Sequence, residues 1–295
     1  MLNNKYDCVK YMRDIFKLFE PSFSSNQTDL IIELDFLRKK QLGGSTHPIV
    51  FFQLKEIFHM LESIGSARIE GNRTTVSEYI ESKLDESSDK PKNIIEIINM
   101  HKTISLIDDY VKDSPINKTF ISQIHQSVVE GLLPPPNGEG DKTPGLYRKE
   151  NVKINKSKHI PPDFSQVTDY MDNLLDFINQ DIATKFDLIK VAQVHHQFVW
   201  IHPFLNGNGR TVRMLTYAML VKYNFKINEG RILNPSAVFC IDRNKYYEYL
   251  SLADMLTDDG IEKWCEYVLN GLKNEIDKID SLSEYDYLKN KILKP

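Results

Sequence analysis

Apolar positions recur at intervals of three and four along most of the chain, the spacing of helices that bury one face. Leu30, Ile31, Leu34 and Leu37 predict a helix over 27–40, stopped by Gly43 and Gly44. Phe51, Leu54, Ile57, Phe58 and Leu61 predict a second within 49–71, and 74–84 a third. A polar run from Asp85 to Lys92 then separates an N-terminal helical region, 1–92, from the rest. Residues 93–111 and 119–133 read as amphipathic helices, the latter broken by Pro134, Pro135 and Pro136. From Gly145 to Pro162, two short extended segments flank a polar centre at 155–157, the pattern of a β-hairpin. Helix resumes over 164–179. After a helix over 264–276 the chain ends in a charged tail, 281–295. The pattern predicts a mainly all-α fold, a helical bundle with one small β-hairpin.

Two segments depart from one-faced amphipathicity. Leu188, Ile189, Val191, Ala192, Val194, Phe198 and Val199 leave little polar face, as do Val212, Met214, Leu215, Ala218, Met219 and Leu220. Helices apolar nearly all round are buried ones. Between them runs His202-Pro-Phe-Leu-Asn-Gly-Asn-Gly-Arg-Thr-Val-Arg213. A small-residue turn entering a helix offers unpaired N–H groups and a favourable dipole to an anion, and glycine lets a phosphate approach the backbone. Arg210 and Arg213, at i and i+3, share a face of the first turn. His202 is the one group in the stretch that exchanges a proton near neutrality. Phosphate cradle, cationic clamp and base together predict transfer of a phosphorus-linked group.

Composition narrows the alternatives. With 295 residues, 41% hydrophobic and 26% charged, the chain has the make-up of a globular protein with a sizeable core. A net charge of −4 weighs against broad nucleic-acid affinity. Cys8, Cys240 and Cys265 are scattered and odd in number, as expected of a reducing cytoplasm. No stretch approaches the ~20 apolar residues of a membrane span, and the N-terminus carries no signal-peptide pattern. His195, His196 and His202 lie close together, but no Glu or Cys joins them at zinc-ligand spacing. The glycines of 207–209 lack the spacing and the Lys of a P-loop.

The 202–213 stretch resembles the signature of the Fic family, His-x-Phe-x-(Asp/Glu)-Gly-Asn-Gly-Arg-x-x-Arg, departing from it only at Asn206. The resemblance implies a Fic-type helical bundle, with its core over 93–280, and AMPylation: transfer of AMP from ATP to a protein hydroxyl. It makes His202 the catalytic base and Phe204 a structural anchor. Gly207, Asn208 and Gly209 would form the anion hole, with Arg210 and Arg213 on the β- and γ-phosphates. In the family the acid at the position of Asn206 helps hold Mg²⁺; an Asn offers only a neutral oxygen, so weaker metal affinity, or a preference for Mn²⁺, is expected.

Three further segments fit the same family. Ser66-Ala-Arg-Ile-Glu70-Gly71 matches its inhibitory motif, which implies that Glu70 pairs with Arg213 where the γ-phosphate would lie. The hairpin, 148–162, corresponds to a flap that aligns the target protein by strand addition. Asn244 and Tyr247 correspond to groups around adenine and ribose, although paired tyrosines on a helix are more often core. A homodimer, no membrane partner and a cytoplasmic location complete the expectations. Two alternatives stay open: removal of AMP by the same site, and a nucleotide-binding protein that has lost metal chemistry at Asn206.

Overall fold

A computed structural model describes residues 15–39, 48–85, 89–111, 114–154, 157–225 and 235–282. Eleven α-helices are seen among them: α1 (Asn26–Lys39), α2 (Pro48–Ile69), α3 (Val76–Leu84), α4 (Lys92–Tyr110), α5 (Lys118–Val129), α6 (Val167–Asn179), α7 (Asp187–Ile201), α8 (Asn208–Lys222), α9 (Pro235–Cys240), α10 (Arg243–Ala253) and α11 (Asp258–Leu282). The fold is the mainly helical one that the periodicity predicts.

The two segments without a polar face, α7 and α8, lie side by side at the centre. α4 and α5 cover α8, while α6 and α11 cover α7. Their side chains dominate the main apolar core, with Val191, Ala192, Phe198, Val212, Met214 and Leu215 excluded from solvent. Polar residues inside α7 are bonded rather than stranded. Trp264 of α11 donates its indole N–H to the Ala192 carbonyl at 2.6 Å, and His195 meets Thr216 at 2.8 Å and Tyr246 at 2.9 Å. His195 is thus a core histidine, with both ring nitrogens engaged.

α2 packs on α4 and α9, and most of its interior contact is a separate small cluster: Met60, Ile64 and Ala67 with Tyr79, Ile94 and Ile97. Of the stripe read from the sequence, the side chains of Phe51, Leu54 and Phe58 lie outside the described residues. Ile57 and Leu61 are exposed, whereas Met60, Ile64 and Ala67 are covered, because their stripe meets α3 and α4.

Helix ends follow local chemistry. α3 begins with a capping box between Thr75 and Glu78. α5 stops at Val129, earlier than the prolines suggest, because Gly131 takes a left-handed φ of 67° and turns the chain first. The start of the helix expected at 164 is a 3-10 turn, Phe164–Gln166, that precedes α6. The glycines expected to stop α1 lie outside the described residues.

Where the β-hairpin was expected, the described residues form two non-helical arms, 149–154 and 157–163, with no strand in either. A hydrogen bond from Ser157 N–H to the Ile154 carbonyl, 3.3 Å, marks the reversal between them. No strand ladder joins the arms among the described residues. What fixes them is Arg148, buried at their base. Its guanidinium donates to the carbonyls of His202 (2.9 Å), Pro162 (2.6 Å) and Glu150 (3.1 Å), and its backbone N–H to that of Pro203 (2.8 Å). A cation satisfying the end of α7 suits the negative pole of that helix.

Candidate active site

The turn between α7 and α8 is shaped by two residues with positive φ. His202 ends α7 at φ 51°, ψ 62°, and Gly207 begins α8 at φ 75°. A Cβ on Gly207 would lie 2.8 Å from Val129 and 3.4 Å from His125, so glycine is required by space as well as by conformation. Between them Phe204 is fully buried, its ring stacked on His125 with centroids 3.7 Å apart. Burial of such a ring contributes about 1.5–3 kcal/mol. Asn208 closes the turn: its Oδ1 accepts from Phe204 N–H, and its Nδ2 donates to the Phe204 carbonyl, both at 2.9 Å. The Asn208 side chain is therefore committed to the loop, and what it can offer an anion is its backbone N–H.

His125 and Asp141 grip the peptide next to Gly207. His125 accepts from Gly145 N–H at Nδ1 (2.8 Å) and donates from Nε2 to the Asn206 carbonyl (3.0 Å). Asp141 accepts from Asn206 N–H at 2.9 Å. Burial pushes the His125 pKa down to about 4, so this imidazole is neutral at physiological pH and keeps one donor and one acceptor. With its backbone held this way and no side chain capping α8, the N–H groups of the first turn face the site.

His202 is half-buried at the mouth of the turn. Its Nδ1 lies 3.3 Å from the Val199 carbonyl, which can only accept, so Nδ1 carries the proton and Nε2 holds a lone pair. Burial drives its pKa down to about 4, and Arg148 adds to the effect. A neutral imidazole with an open Nε2 is equipped to receive a proton.

Both arginines are buried. Arg213 donates from Nε to Ser66 Oγ (2.7 Å), and from Nη2 to the Ser66 carbonyl (3.1 Å) and to Glu70 Oε1 (2.7 Å). The expected trio Ser66, Glu70 and Arg213 therefore meets across 143 to 147 residues of sequence. α2 ends so that Glu70 reaches inward: Gly71 takes φ 108°, and Asn72 N–H returns to the Ala67 carbonyl at 3.1 Å. Burial raises the Glu70 pKa, but Arg213 and then Arg210 outweigh it, leaving the carboxyl below its usual range. Glu70 also rests on the turn itself, since a Cβ at Gly209 would meet its Oε1 at 2.3 Å. Arg210 pairs with Glu96 of α4 at 3.2 Å and donates to the Glu139 carbonyl.

Asn206 turns its amide to the loop before the arms. Nδ2 donates to the Gly140 carbonyl (3.0 Å) and lies 3.5 Å from Glu139 Oε2. No cluster of three His, Cys, Asp or Glu suited to a metal ion exists among the described residues. The donors here, Asn206 Oδ1 and the Glu139 carboxylate, fit a hard cation held mostly by a ligand's phosphates, the usual habit of Mg²⁺.

Asn244 and Tyr247 lie at the rim. Asn244 lines a cavity of about 320 Å³ with Arg68, Ile69 and Arg243. Tyr247 is 43% exposed beneath Arg243, while its neighbour Tyr246 is buried against His195. The tyrosine pair thus divides into one core residue and one surface residue. The sequence reading missed His125, Asp141, Glu139 and Glu96. A buried histidine on α5 carries no motif, but Gly138-Glu139-Gly140-Asp141 was a visible sign: a Cβ at Gly138 or Gly140 would strike the carbonyl of Leu133 or Leu132.

Known proteins resemble this chain in sequence and in fold. Residues 115–220 match the family model described as Fic/DOC family. Relatives named protein adenylyltransferase Fic include those of Nematostella vectensis, 28% identical over 195 residues, and Drosophila willistoni, 26% identical over 201. The matches cover 64% and 66% of this chain but only 42% and 36% of those proteins. The chain thus aligns with about two-fifths of their length. A Fic family protein from Desulfovibrio desulfuricans has the same fold, with a TM-score of 0.69 and 23% identity over 87% of this chain and 74% of that one. Fic-1 (residues 134–508) of C. elegans superposes with a TM-score of 0.63 at 18% identity, covering 86% and 71%.

Proposed function

We propose that the protein transfers AMP from ATP to a protein hydroxyl, and that Glu70 holds the nucleotide site closed. The observation carrying this reading is the seat of the Glu70 carboxylate. It pairs with Arg213 and lies over Gly209, so an internal anion rests at a helix N-terminus suited to a bound one. The name adenylyltransferase borne by the relatives supports the choice of group.

In the reaction, His202 Nε2 takes the proton of the target hydroxyl as its oxygen attacks the α-phosphorus in line. The new O–P bond forms as the bond from the α-phosphorus to the bridging oxygen breaks, and pyrophosphate carries that electron pair away. Arg210, Arg213 and the first N–H groups of α8 stabilise the charge that develops on the phosphates, the largest contribution in reactions of this kind. A divalent cation, held by the phosphates with Asn206 Oδ1 and Glu139, would supply further charge neutralisation. In this reading the arms at 149–154 and 157–163, held by Arg148, would align the backbone of a target protein.

The test uses Glu70→Gly protein with ATP labelled at the α- or at the γ-phosphate, beside wild type and His202→Ala/Glu70→Gly. The reading expects α-label on protein, little with wild type and none without His202. Label from γ alone would overturn it. No label from either, with ATP bound, would favour removal of AMP, a reaction in which Glu70 would align water.

A further inference from the structure

Arg210 is also occupied by an acid. Glu96 and Arg210 are 4% and 1% exposed, and their charged atoms are 3.2 Å apart. The other Glu96 oxygen accepts from Asn72 Nδ2 at 2.7 Å. Asn72 follows Glu70 and Gly71 directly. Its side chain is a junction: Nδ2 also donates to the Asn93 carbonyl (2.8 Å), while Oδ1 accepts from Thr74 N–H (2.9 Å).

The two clamp arginines are thus reached from one turn of chain. Glu70 takes Arg213 directly, and Asn72 takes Arg210 through Glu96. Each guanidinium keeps one buried nitrogen without a hydrogen-bond partner, Arg213 at Nη1 and Arg210 at Nε, and Glu96 Oε1 meets Arg210 as an ion pair without a hydrogen bond. Phosphate is held best by two parallel N–H groups, and on both arginines much of that donor set is taken. We propose that Asn72 and Glu96 form a second arm of the inhibitory contact. Together they couple release of the 66–72 turn to capture of Arg210 by a nucleotide phosphate.

A phosphate drawing on Arg210 weakens the tie between Arg210 and Glu96. Glu96 is buried and already held above its usual carboxyl range by that burial, so with its counter-ion shared it gains a proton or moves, and either change alters what Asn72 bonds to. Conversely, while Asn72 and Glu96 stay paired, Glu70 is presented to Arg213 from a turn pinned at both ends. This coupling rests on the reading of Glu70 as an inhibitor.

Titration calorimetry with ATP and Mg²⁺ separates the two ideas. Asn72→Ala, with Glu70 intact, is expected to tighten ATP binding about fivefold. In the Glu70→Gly background the same substitution should add nothing, because the turn is already released. Glu96→Gln, which keeps shape and removes charge, serves as the second variant and should tighten binding in the presence of Glu70 as well. Unchanged affinity in both Asn72→Ala and Glu96→Gln, while Glu70→Gly binds ATP more tightly, would overturn the second arm alone. So would independent, multiplying effects of Asn72→Ala and Glu70→Gly. If Glu70→Gly itself left ATP affinity unaltered, the inhibitory reading beneath the proposal would fall with it.

Discussion

Residues 202–208 and residues 66–72 face each other across Arg213. The first segment is set between two fully buried helices, with Phe204 in the main core and its backbone gripped by Asn208, His125 and Asp141. The second hangs from α2; Ile69 ties it to the main core, but Met60, Ile64 and Ala67 belong to a small separate cluster, and it meets the clamp arginines through polar contacts. Apolar packing in a core gives way all at once, whereas polar contacts at a partly exposed edge are exchanged for ligand or water at modest cost. The pairing therefore joins a preformed site to a removable cover.

The largest expected effect breaks the preformed half. Phe204→Ala leaves a cavity under the turn and costs about 3–5 kcal/mol of stability, read as a lowered denaturant midpoint. A loss under 1 kcal/mol would mean that the turn is not core-anchored.

A smaller effect sharpens the other half. Glu62, two turns before Glu70 on α2, accepts from Ser236 N–H at 3.0 Å, and burial pushes its pKa up to about 7. Its charged form is penalised in the folded state, so stability is full below the ordinary carboxyl range and falls as pH rises towards 7. Glu62→Gln removes that penalty. It should raise stability by about 2 kcal/mol at pH 8 and by little at pH 4.5, as thermal unfolding at the two pH values would record. Equal effects at both would contradict the burial argument.

The smallest concerns the metal. Asn206→Asp in the Glu70→Gly background should strengthen Mn²⁺ binding to the ATP complex by about tenfold at most, because Glu139 and Asp141 already place negative charge beside that position. Metal titration followed by electron paramagnetic resonance would show it; identical curves would mean that residue 206 does not meet the cation.

The halves of this comparison were also unequally legible in sequence. His202, Gly207, Arg210 and Arg213 are contiguous, and their chemistry depends on spacing that one helix turn fixes. Ser66 and Glu70 form a short motif of the same kind. Glu96 and His125 sit in unremarkable stretches and join the site only when α4 and α5 pack on α8, which no local pattern encodes. The exposure of Ile57 and Leu61 on α2 was illegible for a similar reason: Met60, Ile64 and Ala67 offer a second apolar stripe, and α3 and α4 cover that one. At Gly131, a left-handed turn acted before the more conspicuous prolines could.

Amide hydrogen exchange of wild type and Glu70→Gly, followed peptide by peptide, tests the account most directly. A preformed site under a removable cover predicts exchange at least tenfold faster over 66–72 in the variant, with 198–215 unchanged. Faster exchange spreading through 198–215 would contradict it, since the signature turn would then owe its shape to Glu70.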